Sequence, residues 1–119
     1  MTKLHVAALI GFLGVALGAF GAHGLHDRLV ANDRIATWDT AAFYHLVHAV
    51  ILVILAISFP RAKLAFILFT IGISIFSGSL YILSLTNFTK LGIFTPLGGI
   101  CLLAGWISLA LLSSPTQDS

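Results

Sequence analysis

The sequence predicts an all-α fold, an integral membrane four-helix antiparallel bundle occupying residues 1–119 as a single transmembrane domain. Three observations carry this. The chain is 59% hydrophobic and only 8% charged, against roughly 25% charged residues in ordinary soluble domains, and its mean hydropathy is +1.08. Apolar runs cover residues 4–25, 40–59, 64–85 and 91–112, each near the roughly 20 residues that cross a hydrocarbon core of about 30 Å. The breaks between the runs are polar, the first fairly long and the other two short. A net charge of +2 without any basic run leaves no electrostatic basis for a nucleic-acid partner; the lipid bilayer is the expected solvent.

The first run, Leu4–Leu25, follows Lys3 and passes a weak cleavage-like Ala19-Phe20-Gly21. It has the outline of a signal peptide, but three further runs follow and it is read as a permanent span. The break from His26 to Asp39 is the most polar, with Asp27, Arg28, Asp33 and Arg34. Within it, Asp33 is a candidate N-cap for an early start of the second helix, because Ile35, Trp38, Ala42, His45 and Ala49 recur at helical spacing. Trp38 is then expected at the membrane interface. Pro60-Arg61-Ala62-Lys63 ends the second helix tightly. After the third, Thr95 and Pro96 suggest an N-cap followed by proline at the first helical turn, making Lys90–Phe94 an interfacial or re-entrant piece. Lys3, Arg61 and Lys63 fall on one side and Arg28, Arg34 and Lys90 on the other. This tie weakens the positive-inside signal; the compact Arg-Ala-Lys turn favours cytoplasmic termini, and dual insertion stays open.

Four crossings bring the unusual segments to one end: GAFGAHGL (residues 18–25), WDTAAFYHLVHA (38–49), FSGSLY (76–81) and TPLGGICLLAGW (95–106). In this order they resemble the transmembrane protein 256 family, whose bacterial members are catalogued as a domain of unknown function (DUF423) and as inner-membrane proteins. The resemblance covers essentially all four spans. It implies a small multi-span protein of the bacterial inner (cytoplasmic) membrane, and brings no activity, cofactor or catalytic residue with it.

Read residue by residue, Gly11, Gly14, Gly18 and Gly21 share one face of the first helix, a small-residue seam that lets backbones approach in lipid. Ser74 and Gly78 form a second small-xxx-small pair and a candidate partner face. His45 and His48 share a face near Tyr44, and with His23 they are candidates for a ligand site or a polar network. Three imidazoles suit zinc or copper and two suit a haem; the alternative is hydrogen bonding to Tyr44, Thr40, backbone carbonyls or interfacial water. At 100° per residue His23 points about 160° away from the glycine seam, so it joins the pair only if residues 21–24 leave the regular helix. Thr95, Pro96, Gly98 and Gly99 read as a helix start or break, either for packing or, as in transporters, for exposing amides to a ligand. His5 and His26 are given no role, and Cys101 reads as a small buried hydrophobe. Asp27, Asp33, Asp39 and Asp118 lie outside the clear apolar spans. No nucleophile triad, zinc-protease motif or phosphate loop is present.

The expected function is therefore non-enzymatic, without a cofactor: an accessory, assembly or structural component acting as a homo-oligomer or within a larger membrane complex. A dimeric small transporter or channel is the alternative, although the spans lack the acid that proton-coupled transport needs. A histidine-ligated metal or haem protein is the third reading.

Overall fold

The computed structural model describes residues 1–112; Asp118 and Ser119 lie outside the described residues. Five α-helices follow one another: α1 (Lys3–Ala22), α2 (His26–Ala31), α3 (Ile35–Ser58), α4 (Lys63–Thr86) and α5 (Thr95–Leu112), with a 3-10 turn at Thr89–Ile93 before α5. Four are long and apolar enough to cross a membrane. They run up and down, α1 packing on α3, α3 on α4 and α4 on α5. The central pair, α3 and α4, is the more deeply buried, and α1 and α5 flank it. The outer surface is covered by Phe12, Val50, Ile67, Leu103 and similar side chains, as a lipid-facing surface requires.

Helix ends follow local chemistry. Thr2 and His5 form a reciprocal capping box at the start of α1, giving His5 a role the sequence reading did not assign. Asp33 is not the N-cap of α3. It adopts left-handed backbone at φ 55°, where a short polar side chain is tolerated, and α3 starts without a side-chain cap. The polar break is a clamp on the end of α4, whose last carbonyls would otherwise lack partners. Arg28 Nε donates to Leu85 O at 3.1 Å, and Asn32 Nδ2 to Ser84 O at 2.9 Å. Asn87 closes α4 in left-handed backbone while its side chain receives Arg34 Nε at 2.8 Å. At the opposite end Lys3 Nζ donates to Pro60 O at 2.8 Å, pinning α1 to the α3–α4 turn.

Close helix approach is organised by glycines. On the α4–α5 seam Gly98 lies against the Phe76 backbone, Gly72 against Leu102 and Gly105 against the Phe69 ring. Ser74 and Gly78 do not serve the inner seam. Ser74 is exposed and nothing lies within 4 Å of a Cβ at Gly78. The inward face of α4 is instead taken by Phe66, Phe69, Ile73, Ser77 and Tyr81, which turns the Ser74–Gly78 stripe outward.

Gly98→Ala is expected to destabilise by about 1–3 kcal/mol, the range for overpacking, because the added methyl meets backbone that cannot rotate away. Gly92→Ala, with nothing within 4 Å, is expected to be near neutral. Thermal melting of the two variants in one detergent checks the contrast.

Candidate functional site

The site grows from the α1–α3 seam. In α1 the carbonyls of Ile10 and Leu17 belong to the ladder bonds of Gly14 and Gly21. With no side chain at either glycine, the flank of each carbonyl is open. Two donors from α3 enter there: His45 Nε2 reaches Ile10 O at 2.8 Å and Trp38 Nε1 reaches Leu17 O at 2.9 Å. A Cβ at Gly14 would meet Leu46 Cδ2 at 2.8 Å and His45 Cδ2 at 3.2 Å, and one at Gly21 would fall on the Trp38 ring. Gly11 and Gly18 face Ala49 and Ala42 at ordinary contact distance, 4.0 Å each. The seam thus alternates plain small-residue packing with two backbone-directed hydrogen bonds.

Partners fix the tautomers. A carbonyl only accepts, so His45 carries its proton on Nε2, and Nδ1 is left to accept from the Tyr81 hydroxyl at 2.8 Å. His48 is the opposite case: Nδ1–H donates to Tyr44 O at 2.8 Å, and Nε2 accepts from Trp106 Nε1 at 3.2 Å. Both rings are therefore held at both nitrogens. Around them Tyr81 packs on Trp38 with centroids 4.7 Å apart, and Phe69 lies against both His48 and Trp106. Ser77 Oγ donates to Ala41 O at 2.8 Å; Ser79 and Thr95 hydroxyls pair at 2.6 Å. The network ties every spanning helix to its neighbour.

The histidines are deeper than an interfacial reading allows. Because α3 begins at Ile35, His45 and His48 are the eleventh and fourteenth of its 24 residues, about 15 and 20 Å along it at 1.5 Å per residue. That is the middle of the spanning helix. Trp38, expected at the interface, is buried and spends its N–H on α1. Tyr44 is partly exposed, its ring 6.3 Å from His48 and nearly parallel to it. It edges a groove of about 360 Å³ that also includes Phe76, Pro96, Gly99 and Trp106.

His23 does not join the pair. The backbone does leave the regular helix there, since α1 ends at Ala22 and His23 has φ −125° and ψ −87°, yet the side chain is exposed. The break lets the chain turn into α2 instead. Among the described residues no group of three His, Cys, Asp or Glu side chains converges to hold a metal, so the three-histidine arrangement is not formed. Thr95 begins α5, and Pro96 stands within its first turn, where its missing N–H costs nothing. The amides there point to the preceding turn, as in Gly98 N–H to Phe94 O at 3.2 Å. Cys101 is half-buried.

Residue type singles out the histidines, but Tyr81, Ser77, Trp38 and Trp106 complete the site as fully as they do. The available signal is that a tyrosine or tryptophan inside an apolar span has an O–H or N–H that needs an acceptor.

Tyr81→Phe leaves the His45 Nδ1 lone pair without its donor and is expected to cost about 1–3 kcal/mol, the range for an unsatisfied buried polar group. His45→Phe removes bonds to two helices and should cost more. The double variant should fall short of the sum, because both changes break one network; melting of the three variants measures that coupling.

Comparison with known proteins agrees with this architecture. The model of the family described as "Protein of unknown function (DUF423)" matches residues 17–99. Among curated relatives, the UPF0382 membrane protein YwdK of Bacillus subtilis is 40% identical over 114 residues, covering 89% of this chain and 90% of that protein. A UPF0382 membrane protein of Haemophilus influenzae is 43% identical over 112 residues, 90% of this chain and 89% of the relative. The UPF0382 membrane protein C1782.12c of Schizosaccharomyces pombe is 36% identical over 118 residues, 92% and 98% of the two chains. No solved structure matches. Four apolar helices and these relatives make the chain an integral membrane protein, and it belongs to the DUF423 family of UPF0382 membrane proteins.

Proposed function

We propose that this protein is a non-enzymatic structural or assembly component of a membrane complex, formed by copies of itself or with larger partners, and that in a bacterium it resides in the inner membrane. One observation carries the reading: all four ring nitrogens of the two mid-helix histidines are engaged by Ile10, Tyr81, Tyr44 and Trp106. Ionisable side chains inside spans are expensive and usually mark an ion path or proton relay. Here they are spent on holding α1, α3, α4 and α5 together. That is the chemistry of a brace, which gives the four helices a defined outer surface.

The outer surface offers a place for another helix. Ile67, Ile71, Ser74, Gly78 and Ile82 follow one another at three- and four-residue spacing on the outward side of α4, and Ser74 spends its hydroxyl on Thr70 O within its own helix. Helices associate in lipid through close van der Waals approach at such small residues.

Gly78→Leu tests this cleanly, since open space at that position leaves the internal packing unchanged. The variant is expected to melt like the parent while self-association, or recovery with the complex in mild detergent, falls about tenfold, equivalent to about 1.4 kcal/mol. An unchanged assembly measured by cross-linking and size would refute the proposed face.

A further inference from the structure

We propose that the groove between α3 and α5, at the end carrying the α3–α4 turn, binds one anionic phospholipid, with an acyl chain in the groove and the phosphate at Arg61 and Lys63. The groove encloses about 400 Å³ and is walled by Ile51, Leu55 and Phe59 on one side and Leu109 and Leu112 on the other, with Arg61 at its mouth. Ile51 stands about 10 Å from the end of α3 at 1.5 Å per residue, so the groove runs from headgroup level well into one leaflet. Its walls are aliphatic and aromatic, and its entrance is cationic.

Charge selects the occupant. Lys3, Arg61 and Lys63 stand at this end, whereas the described acids, Asp27, Asp33 and Asp39, all belong to the opposite one. Lys3 is committed to Pro60 O and fixes the turn that presents the other two cations. Arg61 has further contacts of its own, but a guanidinium carries five N–H donors in a fork that matches phosphate oxygens. A soluble anion would satisfy the mouth and leave the apolar groove; a neutral lipid would fill the groove and leave the cations. A phospholipid with net negative charge does both, as basic pockets between transmembrane helices do for anionic headgroups.

The test uses the full chain in mild detergent, offered equimolar phosphatidylglycerol and phosphatidylcholine with the same acyl chains. Native mass spectrometry reads which lipid is retained. One phosphatidylglycerol should be held in preference by at least about fivefold. Arg61→Gln should lower that preference about fivefold, from about 1 kcal/mol per cation at a membrane surface, and Leu109→Trp, which fills the groove, should reduce retention of both lipids. Equal retention by the unmodified chain overturns the proposal without any variant, and is the result expected if a second copy covers the groove. A preference that survives Arg61→Gln with Lys63→Gln, or displacement of the lipid by millimolar inorganic phosphate, overturns it as well.

Discussion

The structure depends on a constraint set by its solvent. Hydrocarbon offers polar groups no partner, so each N–H and O–H placed at depth must find an acceptor within the chain, at a penalty of several kcal/mol if it fails. Helical backbone is already paired, and its carbonyls can take a second bond only where a donor can reach them from the side. Gly14 and Gly21 open that route in α1. His45 and Trp38, seven residues apart on α3, deliver donors to carbonyls seven residues apart on α1. The spacing match sets the register of the two helices. A one-turn slip would take both donors away from these two carbonyls and Leu46 out of the notch at Gly14. The glycines therefore select one register among the several that apolar packing alone would accept.

From that pair the constraint passes to the rest of the bundle. Once His45 gives Nε2–H to α1, its Nδ1 must accept, and Tyr81 supplies the proton from α4. Tyr81 in turn packs against Trp38 with the rings tilted by 57°, and that indole is buried. His48, one turn further along α3, repeats the logic toward α5 with the opposite tautomer, because its local carbonyl partner is on Nδ1 and its distant donor on Nε2. Two histidines with reversed tautomers thus join α3 to all three other spanning helices. On the α4–α5 seam, where Gly72, Gly98 and Gly105 admit Leu102, Phe76 and Phe69, shape rather than hydrogen bonding does most of the locating.

Much of this was legible in the sequence because it is local. Span number, order and approximate limits follow from hydropathy, and the four runs correspond to α1, α3, α4 and the 3-10 turn plus α5. The face of Gly11, Gly14, Gly18 and Gly21 follows from helical spacing. What was not legible depends on register and depth. The early start of α3 at Ile35 was legible in the helical spacing of Ile35, Trp38 and His45, but not its consequence, that His45 and His48 fall at the middle of the helix. Whether Ser74 and Gly78 face α1 or lipid depends on which side of α4 carries Ser77 and Tyr81. The direction of His23 depends on how the chain turns after Ala22, where α2 must swing back to clamp Ser84 and Leu85. Trp106 is apparent as a partner only once α5 lies beside α3.

The two ends of the molecule solve the same solvent problem in different ways. Toward the polar clamp, donors and acceptors are matched internally from Trp38 and Tyr81 through His45. Toward the α3–α4 turn the core is almost wholly apolar, built on Leu52, Leu55, Phe66 and Phe69, and polarity is confined to the cations at the surface. The His48–Trp106 bond stands between these regimes and separates the groove edged by Tyr44 from the one that opens beside Arg61. A hydrogen-bonded core on one side of that bond and an apolar core ending in cations on the other make the two ends of the molecule chemically different. That asymmetry is what the two proposals rest on, the hydrogen-bonded brace at one end and the cation-flanked groove at the other.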